Sequence, residues 1–376
     1  MWHRWLTFTS AVMLTASLSP DAITGQQAVP RVLRPPASTA PEEFTHVSSV
    51  RMLSDGRLLV ADDYGSRLAV IDWTTAKTET IGRQGNGPGE YRSISRVLKL
   101  GGDSSLADDR SSLRWFVLER DRIVSTRTSA AGAYGGQGPL LCGADETARV
   151  CEVRPLLFRK PSPGHPLFRT LSDAESLIVL LADRRSARVD SVARIRGRFR
   201  GLGAKSRGAV TYDYYNPLAV EDQALLFPDG WMAIAHVAPY YIEWVKPDGS
   251  RIVGKPMTVD IVRLDEREKT NAIKMYDKNS ARQGFLPEDF PGWPETLPPF
   301  HNDALLAAPD GSLIVRRIPA ATSPATFYDV VNRAGALTER IRLEHNTRLV
   351  GFGARWAFVA VANDDELERI RRHPWP

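Results

Sequence analysis

The side chains best equipped for chemistry in this 376-residue chain are oxygen and nitrogen donors set beside short apolar runs. Asp62, Asp63, Asn216, Asn302 and Asp303 each offer a side-chain oxygen, and oxygen ligands suit a hard cation such as Ca²⁺. Of the 7 histidines, His46, His236, His301 and His345 fall near the ends of predicted strands. Tyr212, Tyr214, Tyr215, Tyr240 and Tyr241 bracket one unit of the chain. A tyrosine at a strand end can line a binding mouth with a flat apolar face and a polar tip, or it can pack between sheets. Tyr214, Asn216, Tyr240, His301 and Asn302 all sit in or beside loops entering or leaving strands. These five are the predicted ligand-binding residues. Each also has a plainer role, as a turn or strand-end hydrogen-bonding group. No catalytic residue and no metal ligand is assigned.

Several familiar chemistries are missing their signatures. Gly85-x-Gly87-x-Gly89 has no following Lys, is interrupted by Pro88 and runs into a strand, so it reads as a tight loop and not as a phosphate cradle. No Gly-x-Ser-x-Gly elbow or His-Glu-x-x-His is present. A Ser-His-Asp triad leaves no spacing signature, because its members are remote in the chain. Arg194, Arg196, Arg198 and Arg200 alternate with Ile195, Gly197 and Phe199, which puts four guanidinium groups on one face of a strand. Arg184, Arg185, Arg188, Lys205 and Arg207 add to that charge. The patch suits an anionic polymer, a lipid head group or an acidic protein, or it is a solvated outer face. Phe199 alone does not supply the interleaved aromatics of single-strand nucleic-acid binding. The formal charge of +5 is too small to argue for nucleic acid or a membrane surface.

The elements that must position these residues are announced by a repeated phrase. Asp55-Gly56, Asp229-Gly230 and Asp310-Gly311 each precede a short apolar strand, and Asp248-Gly249 is a shorter relative. Asp-Gly between apolar runs is a hairpin signal, because glycine accepts positive φ and aspartate tolerates it. Recurrence at roughly 40–45 residues points to radial repetition of small antiparallel sheets. The expectation is an all-β chain, a six-bladed β-propeller with one inserted helix. The units fall near 44–82, 91–130, 150–200, 215–262, 300–343 and 346–373. Between Leu264 and Arg282, Asp265 and Glu268 resemble a capping box and Ile273 and Tyr276 share a helix face. This predicts a helix, followed by a proline-rich loop over 284–300. The pair is expected over one end of the channel.

The N-terminus begins Met1-Trp2-His3-Arg4-Trp5 and continues with an uncharged, mostly apolar run from Leu6 to Leu18. That is a secretory signal in form, too short to span a bilayer. Residues 1–27 are expected as signal peptide, 28–43 as linker and 44–376 as propeller, in a periplasmic or secreted protein. Export makes Cys142 and Cys151 readable as a disulfide closing a hairpin-like loop. Free thiols are the alternative, and no histidine sits at ligand spacing for a metal.

The segment Ile81-Gly82-Arg83-Gln84-Gly85-Asn86-Gly87-Pro88-Gly89-Glu90-Tyr91 resembles the inter-blade signature of secreted bacterial six-bladed β-propellers, the NHL-repeat-like and TolB-like group. Asp55-Gly56 leading to Asp62, Val70-Ile71-Asp72, and Pro299-Phe300-His301 leading to Pro309-Asp310-Gly311 resemble blades of that group. The likeness covers about 44–373 and departs in the third unit, which lacks an Asp-Gly turn. It implies a fold and little activity. The expected function is therefore a binding module for a protein partner or small polar ligand at the channel mouth, without a cofactor and as a monomer. The alternative is a lactonase- or lyase-type hydrolase. The related calcium-dependent lactonases hold their metal at the channel mouth, and that reading would recruit Ca²⁺ to Asp62, Asp63, Asn216, Asn302 and Asp303.

Overall fold

In the computed structural model, residues 28, 30–128, 140–155, 176–186, 188–197, 202–207, 210–276 and 284–376 are described. The expected export signal lies outside them. Among the described residues, twenty-four strands fall into six antiparallel groups of four. The first holds Val47–Met52, Leu58–Asp62, Arg67–Asp72 and Lys77–Thr80. The second holds Arg96–Lys99, Ser104–Asp109, Arg114–Glu119 and Arg122–Thr128. The third holds Leu140–Ala144, Arg149–Pro155, Ser176–Asp183 and Val189–Arg196. Gln223–Leu226, Met232–Val237, Tyr240–Val245 and Arg251–Val253 make the fourth. Phe300–Ala307, Leu313–Arg317, Ala325–Val331 and Leu337–Glu344 make the fifth. The sixth contains Thr347–Gly353, Trp356–Ala362 and Glu368–Pro374, and is completed by Ser38–Thr39 from the other end of the chain.

The first strands of the groups touch in a closed circle. Val47–Met52 meets Arg96–Lys99, which meets Leu140–Ala144, then Gln223–Leu226, Phe300–Ala307 and Thr347–Gly353, and this last returns to Val47–Met52. Small twisted sheets set radially around an axis, each with its first strand innermost, make a β-propeller. One apolar cluster fills each gap between neighbouring groups. The second strand of the first sheet shows how the sequence achieves this. Leu58 and Val60 pack towards the sixth sheet, while Leu59 and Ala61 pack towards the second. A strand buried on both faces reads as a continuous apolar run, not an alternating one.

The Asp-Gly phrases form the hairpins expected of them. The amide of Gly56 donates to Leu53 O at 3.1 Å, that of Gly230 to Phe227 O at 3.0 Å and that of Gly311 to Ala308 O at 3.0 Å. The three glycines share φ near +85°, which a side chain would strain. All three turns join a first strand to a second, so they lie at one end of the ring. The starts of the inner strands define the opposite end.

Two expectations are corrected. The proline-rich segment read as a linker over 28–43 is part of the sheets. Pro30–Val32 pairs in parallel with Arg340 to Arg342, and Ser38 and Thr39 pair with Arg372 and Arg371. Proline is tolerated there because these are edge strands with one unpaired side. The third unit begins at Leu140, ahead of the expected 150, because Leu140–Ala144 is its inner strand.

Candidate anion site at one end of the channel

The end opposite the Asp-Gly hairpins carries the polar side chains. Many of them hold the fold together. Asp62, at the end of the second strand of the first sheet, accepts the amides of Thr45, His46 and Gly65, each at 2.9 Å. Asp109 does the same in the second sheet, accepting Arg92 N at 2.7 Å and Ser112 N at 3.0 Å. Glu368 accepts Val47 N at 2.6 Å and pairs with Arg348. Buried carboxylates need such donors, and backbone amides at loop entrances supply them.

A second set of residues points inward. In the inner strand of the fifth sheet, pairing with the next strand breaks between Phe300 and Leu305. The bulge contains Asp303, whose φ of +57° is left-handed, a conformation aspartate tolerates. Gln223, at the start of the fourth inner strand, holds the bulge from both sides. Its Nε2 donates to His301 O, and its Oε1 accepts Ala304 N at 3.3 Å. The bulge presents Asp303 to Arg96, which starts the inner strand of the second sheet. Arg96 forms an ion pair with Asp303 and donates to Leu141 O at 2.7 Å. The second and fifth sheets are three steps apart around the circle, so this pair crosses the axis.

Asp303 is exposed, with 75% of its side chain open to water, although the protein around it strips part of its hydration. That loss alone would raise its pKa, but Arg96, Arg110, Arg316 and His301 outweigh it and hold the carboxyl below its ordinary range. Arg110 lies in the turn after the second strand of the second sheet, and Arg316 near the end of the second strand of the fifth. Among the described residues, neither has a hydrogen-bond or ion-pair partner. Three arginines therefore face one carboxylate, with Asn302 and His301 half-buried beside it.

Asp108 borders the same arginines. It is 5% exposed. Burial pushes its pKa up to about 6, Arg110 and Arg96 pull it back, and Asp109 adds to the rise.

The inserted segment covers the fourth and fifth sheets at this end. The helix Glu266–Tyr276 is capped by Asp265, whose Oδ1 accepts Glu268 N at 2.9 Å, as the sequence suggests. Glu268 reaches the turn between the second and third strands of the fifth sheet and accepts Ala321 N at 2.9 Å. Ala272 of the helix packs on Leu218 and Ile318, while Ile273 of the helix packs with Phe285 and Phe290 of the following loop.

The five predicted ligand residues divide. His301 and Asn302 precede Asp303 in the bulge. Asn216 is buried and structural: it donates to Pro291 O at 3.0 Å and accepts Leu218 N at 2.8 Å, tying the fourth sheet to the insert. Tyr240 is buried in the core between the fourth and fifth sheets, its hydroxyl donating to Asp329 at 3.1 Å. Tyr214 sits in the strand Val210–Tyr215 opposite Gly203, and its side chain lies outside the described residues. Of the oxygen donors suited to Ca²⁺, Asn302 and Asp303 share the bulge, while Asp62 and Asn216 are held elsewhere by backbone groups. Asp62 binds backbone amides, Asp63 accepts His46 Nδ1 at 2.7 Å, and no group of three His, Cys, Asp or Glu side chains suited to a metal occurs among the described residues. Arg194 and Arg196 are exposed on either side of buried Ile195, while Arg198 and Arg200 lie outside the described residues. Cys142 and Cys151 form a disulfide between adjacent strands, with Cα atoms 5.0 Å apart.

Sequence reading missed Arg96, Arg110, Arg316 and Asp108. An isolated arginine in an otherwise ordinary strand carries no signal of its own. The signal for Asp108 lay in the repeat, where Asp108-Asp109 stands in the place of Ala61-Asp62.

No protein-family model and no curated protein matches the chain. Among solved structures it is similar to an inferred exported protein of Bacteroides fragilis, at 12% identity and a TM-score of 0.47, covering 92% of this chain and 94% of that one. It is similar to a DUF4221 family member of Bacteroides vulgatus, at 9% identity and a TM-score of 0.46, covering 92% and 96%. It is also similar to virginiamycin B lyase of Staphylococcus aureus, at 8% identity and a TM-score of 0.44, covering 90% and 98%. Values this low say nothing about activity, and the circle of sheets carries the fold. No helix among the described residues is long and apolar enough to cross a membrane.

Proposed function

We propose that the protein is an exported, six-bladed propeller of the NHL-repeat-like kind that binds a small anionic ligand at the channel end holding Asp303. The basic, apolar start of the chain supports export to the periplasm or beyond. The six groups of strands support the blade number. One observation carries the ligand reading: Arg96 reaches across the axis to Asp303, while Arg110 and Arg316 act on the same carboxylate without partners of their own. Arg110 is exposed and Arg316 half-buried, so both guanidinium groups can be reached by a ligand of opposite sign. His301 and Asn302 add polar groups that can orient a ligand. The module works without a cofactor and as a monomer.

Calorimetric titration of the mature protein with sulfate and with gluconate tests this reading. Both anions should bind, and Arg316→Gln should weaken each by about tenfold, the scale of one charge-assisted hydrogen bond. Unchanged affinity in Arg316→Gln would place any bound anion elsewhere.

A further inference from the structure

Asp62 and Asp109 occupy equivalent positions in the first and second sheets. Each ends the second strand of its sheet and pairs across to the start of the third, with Arg67 and Arg114 respectively. Each accepts the backbone amide three residues on, from Gly65 and Ser112. Each also accepts an amide from the loop leading into its own sheet, from His46 and Arg92. The position before them is Ala61 in one sheet and Asp108 in the other. Ala61 is fully buried in an inter-sheet core. Asp108 thus puts a carboxyl where the repeat has a methyl group.

No protein group among the described residues donates a hydrogen bond to that carboxyl. Its cross-strand neighbours are Arg96 on one side and Trp115 on the other. Arg96 is the obvious partner, but its guanidinium is committed to Leu141 O and to Asp303. Asp109 is committed to its own loop. Arg110 acts on Asp108 from the turn that follows, and on Asp303 as well. Asp108 therefore borders the anion site through the same two arginines that hold Asp303. A carboxyl that is 5% exposed and receives no protein donor has its ionised form disfavoured, so its neutral form is within reach near pH 6. The neutral form carries an O–H that needs an acceptor.

We propose that Asp108 is a ligand-contacting acid, which enters the site protonated and donates its O–H to the bound anion. This rests on the anion site proposed above. Its consequence is that the ligand binds together with a proton. The other titratable and charged groups facing the site are Asp109, Arg96, Arg110, Arg316, Asp303 and His301. Of these only His301 could mimic the effect, by gaining positive charge as pH falls.

The test is the pH dependence of sulfate and gluconate affinity from about pH 5.5 to about pH 8, a range over which neither anion changes charge. Wild-type protein should bind more weakly as pH rises above about 6, approaching tenfold per unit. Asp108→Asn supplies an N–H donor without a titrating proton, so it should bind at pH 8 as tightly as wild type does at pH 5.5, with a flat profile. His301→Gln should keep the wild-type slope. A flat wild-type profile, a slope that survives in Asp108→Asn, or one abolished by His301→Gln would overturn the role of Asp108 and leave the anion site standing. So would loss of binding in an Asp108→Asn protein whose thermal unfolding is unimpaired. Absence of binding at every pH in wild type would instead sink the anion site itself.

Discussion

Single buried hydroxyls connect the sheets at points where a methyl group would not serve. Tyr91 closes the glycine-rich segment. Its hydroxyl donates to Ile81 O at 2.9 Å and accepts Leu68 N at 3.0 Å, and its ring meets Phe116 edge-on. Tyr328 repeats the device in the fifth sheet by accepting Leu349 N at 3.0 Å from the sixth. Tyr91→Phe keeps the ring but strands a buried carbonyl and a buried amide. It should lower unfolding free energy by about 1–3 kcal/mol in a denaturant titration. His236 contributes through charge within the fourth sheet. Its Nδ1 meets Asp222 at 3.0 Å and its Nε2 meets Glu243 at 3.2 Å. Burial lowers its pKa, but the two carboxylates outweigh burial and raise it above 6.5. The folded state therefore holds this proton more tightly than the unfolded chain does. The resulting stability is complete below about pH 6.5 and is lost as pH climbs through the folded-state value. The melting temperature should fall over that interval, and His236→Gln should remove that part of the fall.

Among the elements, the third sheet is fastened differently from the others. Gly143 in its inner strand touches the fourth sheet so closely that a Cβ would lie 2.3 Å from Leu226 O. The two sheets join there by a parallel bridge between Gly143 and Leu226. Next to it, Cys142 is the residue over which the register with Arg149–Pro155 slips, and its disulfide to Cys151 spans that slip. Reduction should cost about 2–3 kcal/mol, measured as a shift in urea midpoint between oxidised and reduced protein. The pairing of the two cysteines was legible because ten residues of hairpin keep them together. The helix was legible because Asp265 and Glu268 stand at capping distance. The inner strand Leu140–Ala144 was not, because Cys-Gly interrupts its apolar run. Asn216 follows a strand and Tyr240 begins one, as their sequence context implies. Whether such a side chain turns towards the axis or the core depends on partners remote in the chain, Pro291 for one and Asp329 for the other.

For the molecule as a whole, closure comes from its two ends. Ser38–Thr39 adds the outermost strand to the sixth sheet, and Phe44 and Glu368 exchange backbone hydrogen bonds at 2.8 Å and 2.7 Å. The closed circle brings residues of the second and fifth sheets, about two hundred positions apart in sequence, to a single point on the axis. That convergence, and not any local motif, creates the field of three arginines and a histidine around Asp303. A direct view of it comes from crystals of the mature protein grown with selenate, a tetrahedral dianion located by its anomalous scattering. A selenium peak is expected at the channel end, in contact with Arg110 and Arg316. An empty channel end in a crystal where selenate occupies other surfaces would contradict the proposed site.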